Sequence, residues 1–285
     1  YVMNFRREFR SKVMDYFAAE YREGRTPNPC IACNRYIKWE ALLHRAREIG
    51  ADYIATGHYG SIVRLPNGRY SVAKSADNGK DQSYVLYSLT QEELAHTLFV
   101  LGGYNKDEVR LIAARAGLPV AAKKDSQDIC FVPDGDYAAF IERHTGEKSV
   151  CGSFVDSDGN ILGQHRGIAH YTVGQRKGLG IAFGEPRFVL RINPRENTVV
   201  LGTKEELTAS RVYVSDVNYM ACGGLSGAVR VTGKLRYSQK EAPCTIRPQN
   251  DGILAEFDEP QRAATPGQAA VFYDNGCILC GGVIE

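Results

Sequence analysis

Two cysteines, Cys30 and Cys33, stand three positions apart in the run Gly24–Asn34, which reads GRTPNPCIACN. The two prolines of this run fix φ and keep Thr26 and Asn28 out of the α region, so the backbone that leads to the thiols is stiff. A helix is predicted directly afterwards, which places both thiols near amide groups that favour an anion. The position therefore favours thiolate, the reactive form of cysteine.

A third cysteine, Cys130, lies in the polar and partly basic stretch from Lys123 to Phe131. This context also favours a low thiol pKa. If the three cysteines converge in the fold, they would support sulfur chemistry or supply three metal ligands. The other interpretation is that Cys130, next to Phe131 and Val132, is a buried core thiol. The local context alone leaves both open.

Composition limits the class of protein. The chain has 285 residues, 44% of them hydrophobic, which is enough for a large core spread over two or three units. The net charge of +2 is small, yet residues 161–200 hold six Lys/Arg against two Glu and residues 229–250 hold five against one, which predicts two basic faces. Eight cysteines dispersed over this length, without an apolar stretch at the start, favour a reducing cytoplasm. The absence of any apolar run of about eighteen residues argues against a membrane span.

The first half of the chain shows an α/β alternation. Apolar spacing predicts helices over residues 5–23 and 37–49, after a strand remnant at residues 1–3. A short buried strand at residues 53–56 ends at Gly57 and His58, and ligands of open α/β sheets gather at such strand ends. A nucleotide pocket is therefore predicted there. A hairpin over residues 62–73 and capping boxes at Thr90 and Asn105 follow.

From Cys151 onward, short strands and glycine-rich turns replace the helix signals. The strand spacing after residue 208 is that of a small barrel. The predicted division is an α/β domain at 1–146, a central, mostly β linker domain at 147–207 and a C-terminal β-barrel at 208–285.

Six segments together resemble the tRNA-specific 2-thiouridylases, which are PP-loop ATP pyrophosphatases that thiolate the wobble uridine. They occur in the family's order along the whole chain: Gly24–Asn34, Ala55–Tyr59, Lys80–Tyr84, Asp125–Phe131, His170–Gly178 and Thr265–Ala269. The resemblance implies a Rossmann-like PP-loop domain, incomplete at its N-terminus. The family's Ser-Gly-Gly-x-Asp-Ser phosphate-binding loop would precede Tyr1, so a truncated chain that binds ATP poorly by itself is expected.

The resemblance also implies a mechanism. ATP with Mg²⁺ would adenylate the uracil 2-oxygen, and a persulfide sulfur would then displace AMP. Cys130 would carry the persulfide and Cys33 would release the sulfur through a Cys33–Cys130 disulfide. A cysteine desulfurase or a sulfur-relay protein would supply the persulfide to this cytoplasmic enzyme.

Substrate contacts follow from the same resemblance. Asn28, Pro29 and Cys30 would line the flipped target base, because a base must leave its stack before its 2-position is attacked. Gly57 would face ATP, and His58 would contact tRNA. Further contacts with the tRNA anticodon arm are implied for Lys80, Asp81, Gln82, Arg236, Tyr237 and Gln268. The charged pairs His165–Arg166 and Arg176–Lys177 are equally open to RNA contact or a salt-bridged surface.

Three alternatives stand beside this mechanism. Many relatives carry Asp where this chain has Cys30, so Cys30, Cys33 and Cys130 could instead hold a [4Fe-4S] cluster with one open iron. A structural zinc site would need a fourth ligand that the sequence does not indicate. A noncatalytic RNA-binding fragment is the third alternative.

Overall fold

The computed structural model describes residues 1–77, 79–119, 121, 129–181 and 184–285. The start of the predicted Cys130 motif, residues 125–128, lies outside the described residues. Within the described residues, no helix is long and apolar enough to cross a membrane. The predicted strand at residues 1–3 is wrong, because these residues are irregular and Tyr1 and Val2 are fully exposed.

One long helix ends before the cysteine run and a second begins within it, and each has a π-helical middle. Helix α1 covers residues 6–22 and consists of Arg6–Phe9, the π-helical Arg10–Asp15, and Tyr16–Arg22. Helix α2 covers residues 29–48 and consists of Pro29–Ala32, the π-helical Cys33–Ala41, and Leu42–Glu48. The predicted second helix is therefore confirmed, but it begins at Pro29 and contains both cysteines.

The α/β part is built around two short parallel strands. Strand β1 (Ile54–Thr56) pairs in parallel with β4 (Thr97–Phe99), and the predicted hairpin forms between them as β2 (Ser61–Arg64) and β3 (Tyr70–Ala73). Helices α3 (Gln91–Ala95) and α4 (Lys106–Arg115) begin at Thr90 and Asn105, and both predicted capping boxes are present. Helix α5 (Tyr137–Thr145) ends this part of the chain at the left-handed Gly146.

Two β units follow. The central sheet has the strand order β6-β5-β8-β7, with bounds Gly152–Val155 (β5), Ile161–His165 (β6), Phe188–Asn193 (β7) and Thr198–Gly202 (β8). The C-terminal strands are Thr208–Tyr219 (β9), Val229–Lys234 (β10), Ala242–Gln249 (β11), Gly252–Arg262 (β12), Ala269–Asp274 (β13) and Cys277–Ile284 (β14). Because β13 pairs with both β10 and β14, these six antiparallel strands close into a barrel, as predicted.

The hairpin β2–β3 belongs to the barrel sheet although it lies early in the chain. Strand β3 pairs with β14 through Ala73 and Cys277. The Ser71 hydroxyl adds a bond of 2.8 Å to the carbonyl of Ile278, and Arg69 donates to the carbonyls of Tyr219 and Met220. The predicted domain division at residue 146 stays a prediction, but this hairpin joins both sides of it.

An aromatic cluster fastens α1 to the segment that carries Cys130. The Phe17 ring is fully buried and makes edge-on contacts with three other rings, at centroid distances of 5.5 to 6.0 Å: Phe131, Tyr137 and Phe140. Edge-on pairs add to the free energy that burial itself supplies. Phe17 is therefore the side chain that connects α1, α5 and the Cys130 segment.

We predict that Phe17→Ala destabilises the protein by about 3–5 kcal/mol, because it removes a buried ring and leaves a cavity that rigid neighbours cannot fill. Tyr53→Ala is the control, since Tyr53 is 55% exposed. Urea unfolding followed by circular dichroism measures both. Equal midpoints for the two variants would contradict the central role of Phe17.

Candidate active site

The cysteine run is hydrogen-bonded to a turn of the barrel. The Thr26 amide donates to the carbonyl of Pro266 at 2.8 Å, and Gln268 Nε2 donates to the Thr26 carbonyl at 2.7 Å. Gly267 makes this approach possible, because it has φ +87° and a Cβ there would lie 2.9 Å from the Thr26 nitrogen. Both polar groups of the Thr26 backbone are thus bonded to one turn of the barrel.

Ion pairs and a close backbone contact hold the start of the run. Arg25 bridges Glu20 of α1, at 2.9 Å, and Glu285 at the end of the barrel, at 2.7 Å. Gly24 has φ +68°, and a Cβ at this position would lie 2.9 Å from Ile192 Cγ2 of the central sheet. The run is therefore held by side chains from all three parts of the chain.

Asn28 caps the helix that carries the thiols. Its backbone is extended, at φ −103° and ψ 100°, as the following proline predicts, and its Oδ1 accepts a bond of 3.0 Å from the Cys30 amide. This cap accounts structurally for the asparagine between the two prolines. Pro29 is buried in the first turn, whereas Cys30 is exposed and Cys33 is half-buried. Lining of a flipped base by Asn28, Pro29 and Cys30 stays a prediction.

Cys130 lies on an exposed turn between anchored neighbours. The Val132 amide donates to the carbonyl of Ile129 at 2.9 Å, and the Val132 side chain is completely buried. The Phe131 ring packs 5.7 Å from Phe9 and 5.5 Å from Phe17. The interpretation of Cys130 as a buried core thiol is therefore wrong, because its neighbours fill the core and leave Cys130 outside.

The three cysteines come together electrostatically. Loss of water around the thiols raises the pKa of Cys30 and of Cys33, and the nearby Cys130 thiol raises each pKa further. The Lys38 ammonium acts in the opposite direction on both pKa values. The predicted preference of Cys30 and Cys33 for thiolate is therefore wrong for these resting thiols, because desolvation exceeds the effect of the single cation.

The described cysteines form neither a disulfide nor a metal site. All eight are free thiols, so the Cys33–Cys130 disulfide is not present in this structure. Within the part of the chain that the structure describes, no group of three or more His, Cys, Asp or Glu side chains is arranged to hold a metal ion. The [4Fe-4S] and zinc alternatives thus receive no support from the geometry of Cys30, Cys33 and Cys130.

Gly57 and His58 follow β1, where the sequence places them, but the His58 ring points inward. Only 9% of His58 is exposed, and burial, with the nearby Lys38 charge, lowers its pKa to about 4. Its Nε2 lies 3.2 Å from Lys38 Nζ and its Nδ1 lies 2.9 Å from Thr56 Oγ1. The space next to the Gly57 Cα is open, since a Cβ built there would contact only Leu101 Cδ1, at 3.5 Å. Contact of His58 with tRNA and of Gly57 with ATP stay predictions.

The predicted tRNA-binding loop is held by its own hydrogen bonds. Asp81 Oδ1 accepts bonds from the amides of Ser75 and Ser83, at 3.1 and 3.2 Å, and Oδ2 accepts one from the Ser83 hydroxyl, at 2.7 Å. Gln82 Oε1 accepts a bond of 2.9 Å from the Tyr59 amide, which ties the loop to the end of β1. These contacts give both side chains a structural role, and readout of tRNA by Lys80, Asp81 and Gln82 stays a prediction.

The predicted RNA contacts of the second half divide into inward and outward side chains. Arg236 is half-buried and donates to the Val173 carbonyl, at 2.8 Å, and to the Thr265 hydroxyl, so it joins the barrel to the segment between β6 and β7. Its neighbour Tyr237 is 43% exposed. His165 is only 2% exposed, and its ring nitrogens bond to the Asn197 carbonyl and the Gly167 amide, so direct RNA contact by this ring is not supported.

Sequence reasoning missed two residues of α2: Lys38, whose charge acts on the pKa of Cys30 and Cys33, and Trp39, whose ring packs against His58. The buried Trp39 ring donates from Nε1 to Thr97 Oγ1 of β4, at 2.7 Å. Residues five positions apart do not share a face of an α-helix, so it is the π-helical turn over Cys33–Ala41, which the sequence does not indicate, that brings Lys38 near Cys33. A cavity of about 890 Å³ borders Gly24 and Arg25 without including any of the three thiols. The exposed Cys30 and Cys130 and the half-buried Cys33 therefore lie outside this cavity.

Three family models match consecutive parts of the chain. Residues 1–134 match a family model described as the tRNA methyl transferase HUP domain, and residues 138–203 match the tRNA methyl transferase PRC-barrel domain. Residues 209–284 match a model described as the aminomethyltransferase beta-barrel domain. An α/β HUP domain, a central PRC-barrel and a terminal β-barrel in this order define a class of tRNA-modifying transferases.

Curated relatives define the family. The chain is 57% identical over 285 residues to the tRNA-specific 2-thiouridylase MnmA of Lachnoclostridium phytofermentans, covering 100% of this chain and 80% of the relative. It is 54% identical to the same protein of Moorella thermoacetica and 52% identical to that of Clostridioides difficile, in each case over 287 residues and with the same coverage. The chain belongs to the tRNA-specific 2-thiouridylase family, as its sequence motifs predict.

We predict that Gln268→Ala loosens the cysteine run, because it removes the only side-chain bond to the Thr26 carbonyl among the described residues. The loss of one hydrogen bond, worth about 1 kcal/mol, would speed local opening about fivefold. Hydrogen exchange of a peptide spanning residues 24–34 measures this. Gln164→Ala, at an exposed position of β6, is the matched control, and equal exchange in both variants would contradict the prediction.

We also predict that burial of His58 makes stability depend on pH. In the unfolded chain the ring has a pKa of about 6.5. The folded pKa is about 4, so the unfolded state binds more protons between these values and stability falls as pH decreases from 6.5 to 4. The shift corresponds to a loss on the order of 3 kcal/mol. His58→Phe should flatten the dependence of urea midpoints on pH, and His44→Phe, at an exposed position, should not.

Proposed function

We propose that this protein is an ATP-dependent tRNA sulfurtransferase that forms 2-thiouridine at the wobble position. One observation supports this more than any other: Cys130, nearly a hundred positions from Cys33 in sequence, lies near enough to Cys33 to raise the pKa of its thiol. The two family models that match residues 1–134 and 138–203 are described as methyl transferase domains, whereas the relatives are named 2-thiouridylases, so these descriptions differ in the group transferred. Paired free thiols favour sulfur.

The proposed reaction has two stages. In the first, ATP is consumed as a substrate, with Mg²⁺, to place AMP on the uracil 2-oxygen and release pyrophosphate, which turns this oxygen into a good leaving group. Backbone at Gly57 fits this role, since it lies at the carboxyl end of β1 and carries no side chain. In the second, the terminal sulfur of a Cys130 persulfide attacks C2, and AMP leaves with the former 2-oxygen.

Release of the product then requires Cys33. Its thiolate attacks Cys130 Sγ, the bond between this sulfur and the transferred sulfur breaks, and the electron pair stays on the sulfur of the uridine. The products are 2-thiouridine and a Cys33–Cys130 disulfide, which an external dithiol reduces to two thiols. A persulfide-carrying protein, such as a cysteine desulfurase or a sulfur-relay protein, reloads Cys130. The exposure of Cys130 suits access by such a protein.

We place the reaction in the cytoplasm, where thiols stay reduced, and we propose the anticodon arm as the part of tRNA that is bound. Exposed Tyr237 and the neighbouring half-buried Lys234 offer a stacking ring and a cation on the same barrel edge. Lys234 and Tyr237 line a cleft with a volume of about 470 Å³, and Asp81 lines the same cleft.

We predict that Cys130→Ser and Cys33→Ser each abolish 2-thiouridine, because serine can neither carry a persulfide nor accept the disulfide bond. Nucleoside mass spectrometry of tRNA from strains that carry each substitution in the native gene measures the modification. Cys151→Ser, at an exposed cysteine outside the cluster, is the matched control and should retain normal levels. Normal 2-thiouridine in the Cys130→Ser strain would overturn the proposed function.

A second substitution separates the persulfide route from the cluster route. Aspartate cannot replace a thiolate in a [4Fe-4S] set of three cysteines without changing the cluster, but it leaves Cys33 and Cys130 in place. We therefore predict that Cys30→Asp retains 2-thiouridine formation. Loss of the modification in Cys30→Asp, together with iron and acid-labile sulfide in the anaerobically purified wild type, would favour the cluster route instead.

A further inference from the structure

Lys38 shares a helix face with the thiols. It comes five positions after Cys33, in the π-helical part of α2, Cys33–Ala41. Hydrogen bonding from residue i to residue i+5 brings such residues onto neighbouring turns. Among the described residues, Lys38 is the one cation whose charge acts on both Cys30 and Cys33.

A neutral histidine holds this lysine in place. The His58 ring is packed 5.6 Å from Trp39 and 6.0 Å from Phe99, between α2 and β4, so it cannot turn freely. Its Nε2 accepts from the Lys38 ammonium at 3.2 Å, and the Nδ1–H therefore donates to Thr56 Oγ1 at 2.9 Å. Two hydrogen bonds thus connect Thr56, at the end of β1, through His58 to Lys38, whose charge acts on the thiols.

Because the partner of Lys38 is a neutral histidine, the positive charge of Lys38 is not compensated. A carboxylate would compensate most of the ammonium charge, as Glu241 does for Lys74 at 2.6 Å in the same chain. A neutral imidazole orients the lysine by accepting one of its hydrogens and leaves the positive charge intact. No carboxylate of the described residues forms an ion pair with Lys38. The cation is thus fixed and available to a sulfur anion.

We propose that Lys38, oriented by His58, is the cation that stabilises the Cys33 thiolate when it attacks the sulfur on Cys130. This inference rests on the proposed function and adds two residues to it: Lys38 as the electrostatic partner of the nucleophile, and His58 as a positioning residue. Besides burial, the groups whose charges act on the pKa of Cys33 are Lys38 and Cys30 of α2 and Cys130 of its turn. Of these, only Lys38 favours the anion.

The test is the rate at which iodoacetamide alkylates Cys33, followed by peptide mass spectrometry from pH 6 to pH 10. Only the thiolate reacts, so the profile reports its stability without ATP, tRNA or a sulfur donor. We expect Lys38→Met to move the profile to higher pH and to slow alkylation at pH 7 by about three- to tenfold, since one pKa unit changes the thiolate fraction tenfold. Lys38→Arg should keep most of the rate.

Two further variants separate charge from packing. His58→Phe keeps a ring between Trp39 and Phe99 but removes the acceptor, so it should slow alkylation less than Lys38→Met does. Lys12→Met is the matched control, because Lys12 lies on α1 over the Tyr36 ring, 5.2 Å from its centroid, and should leave the profile unchanged. Circular dichroism verifies folding of each variant, and Lys38→Gln replaces Lys38→Met if the latter does not fold.

An unchanged profile in a folded Lys38→Met or Lys38→Gln variant would overturn the inference. This outcome is distinct from failure of the proposed function, which would appear as 2-thiouridine in the Cys130→Ser strain. A shift of the profile in Lys38→Met that Lys12→Met reproduces would equally overturn it, because the effect would then come from net charge rather than from this lysine.

Discussion

The attachment of the cysteine run to the barrel turn is the constraint on which the site depends. Thr26 is bonded through both its amide and its carbonyl to residues of that turn, and Arg25 connects the same point to α1 and to the last residue of the barrel. These contacts fix where α2 begins. Because Cys30 and Cys33 lie in its first turns, the C-terminal domain determines the position of thiols that the α/β domain carries.

The second half of the site depends on a different kind of contact. The turn of Cys130 is closed by one backbone bond, from the Val132 amide to the Ile129 carbonyl, and Phe131 and Val132 on its C-terminal side are inserted into the aromatic core around Phe17. Packing thus holds one sulfur and hydrogen bonds hold the other. Helix α1 links the two, since Phe17 contacts the Cys130 segment and Glu20, three residues later, bonds to Arg25. A single helix therefore sets the separation of the reacting groups.

Local signals in the sequence predicted the elements well and their partners poorly. The capping boxes at Thr90 and Asn105 and the strands of the barrel depend on neighbouring residues, and all of them form. The parallel pairing of β1 with β4 and the inward His58 ring depend on residues about forty positions away, which no local pattern specifies. The same limit applies to Gln268, whose partner, Thr26, is 242 positions distant. A motif indicates that such a residue has a function, but it does not specify the residue's contact partner in the fold.

The β2–β3 hairpin has a consequence for how this architecture can be divided. Its strands come from the α/β half of the chain, yet they extend the barrel sheet beside β14. A barrel cut out at residue 208 would lose the hairpin that bonds to the start of β14 and would uncover the backbone of Cys277 and Ile278, which Ala73 and Ser71 contact. Chimaeras that exchange barrels between family members would therefore need to exchange residues 61–73 as well, although these lie far from the barrel in sequence.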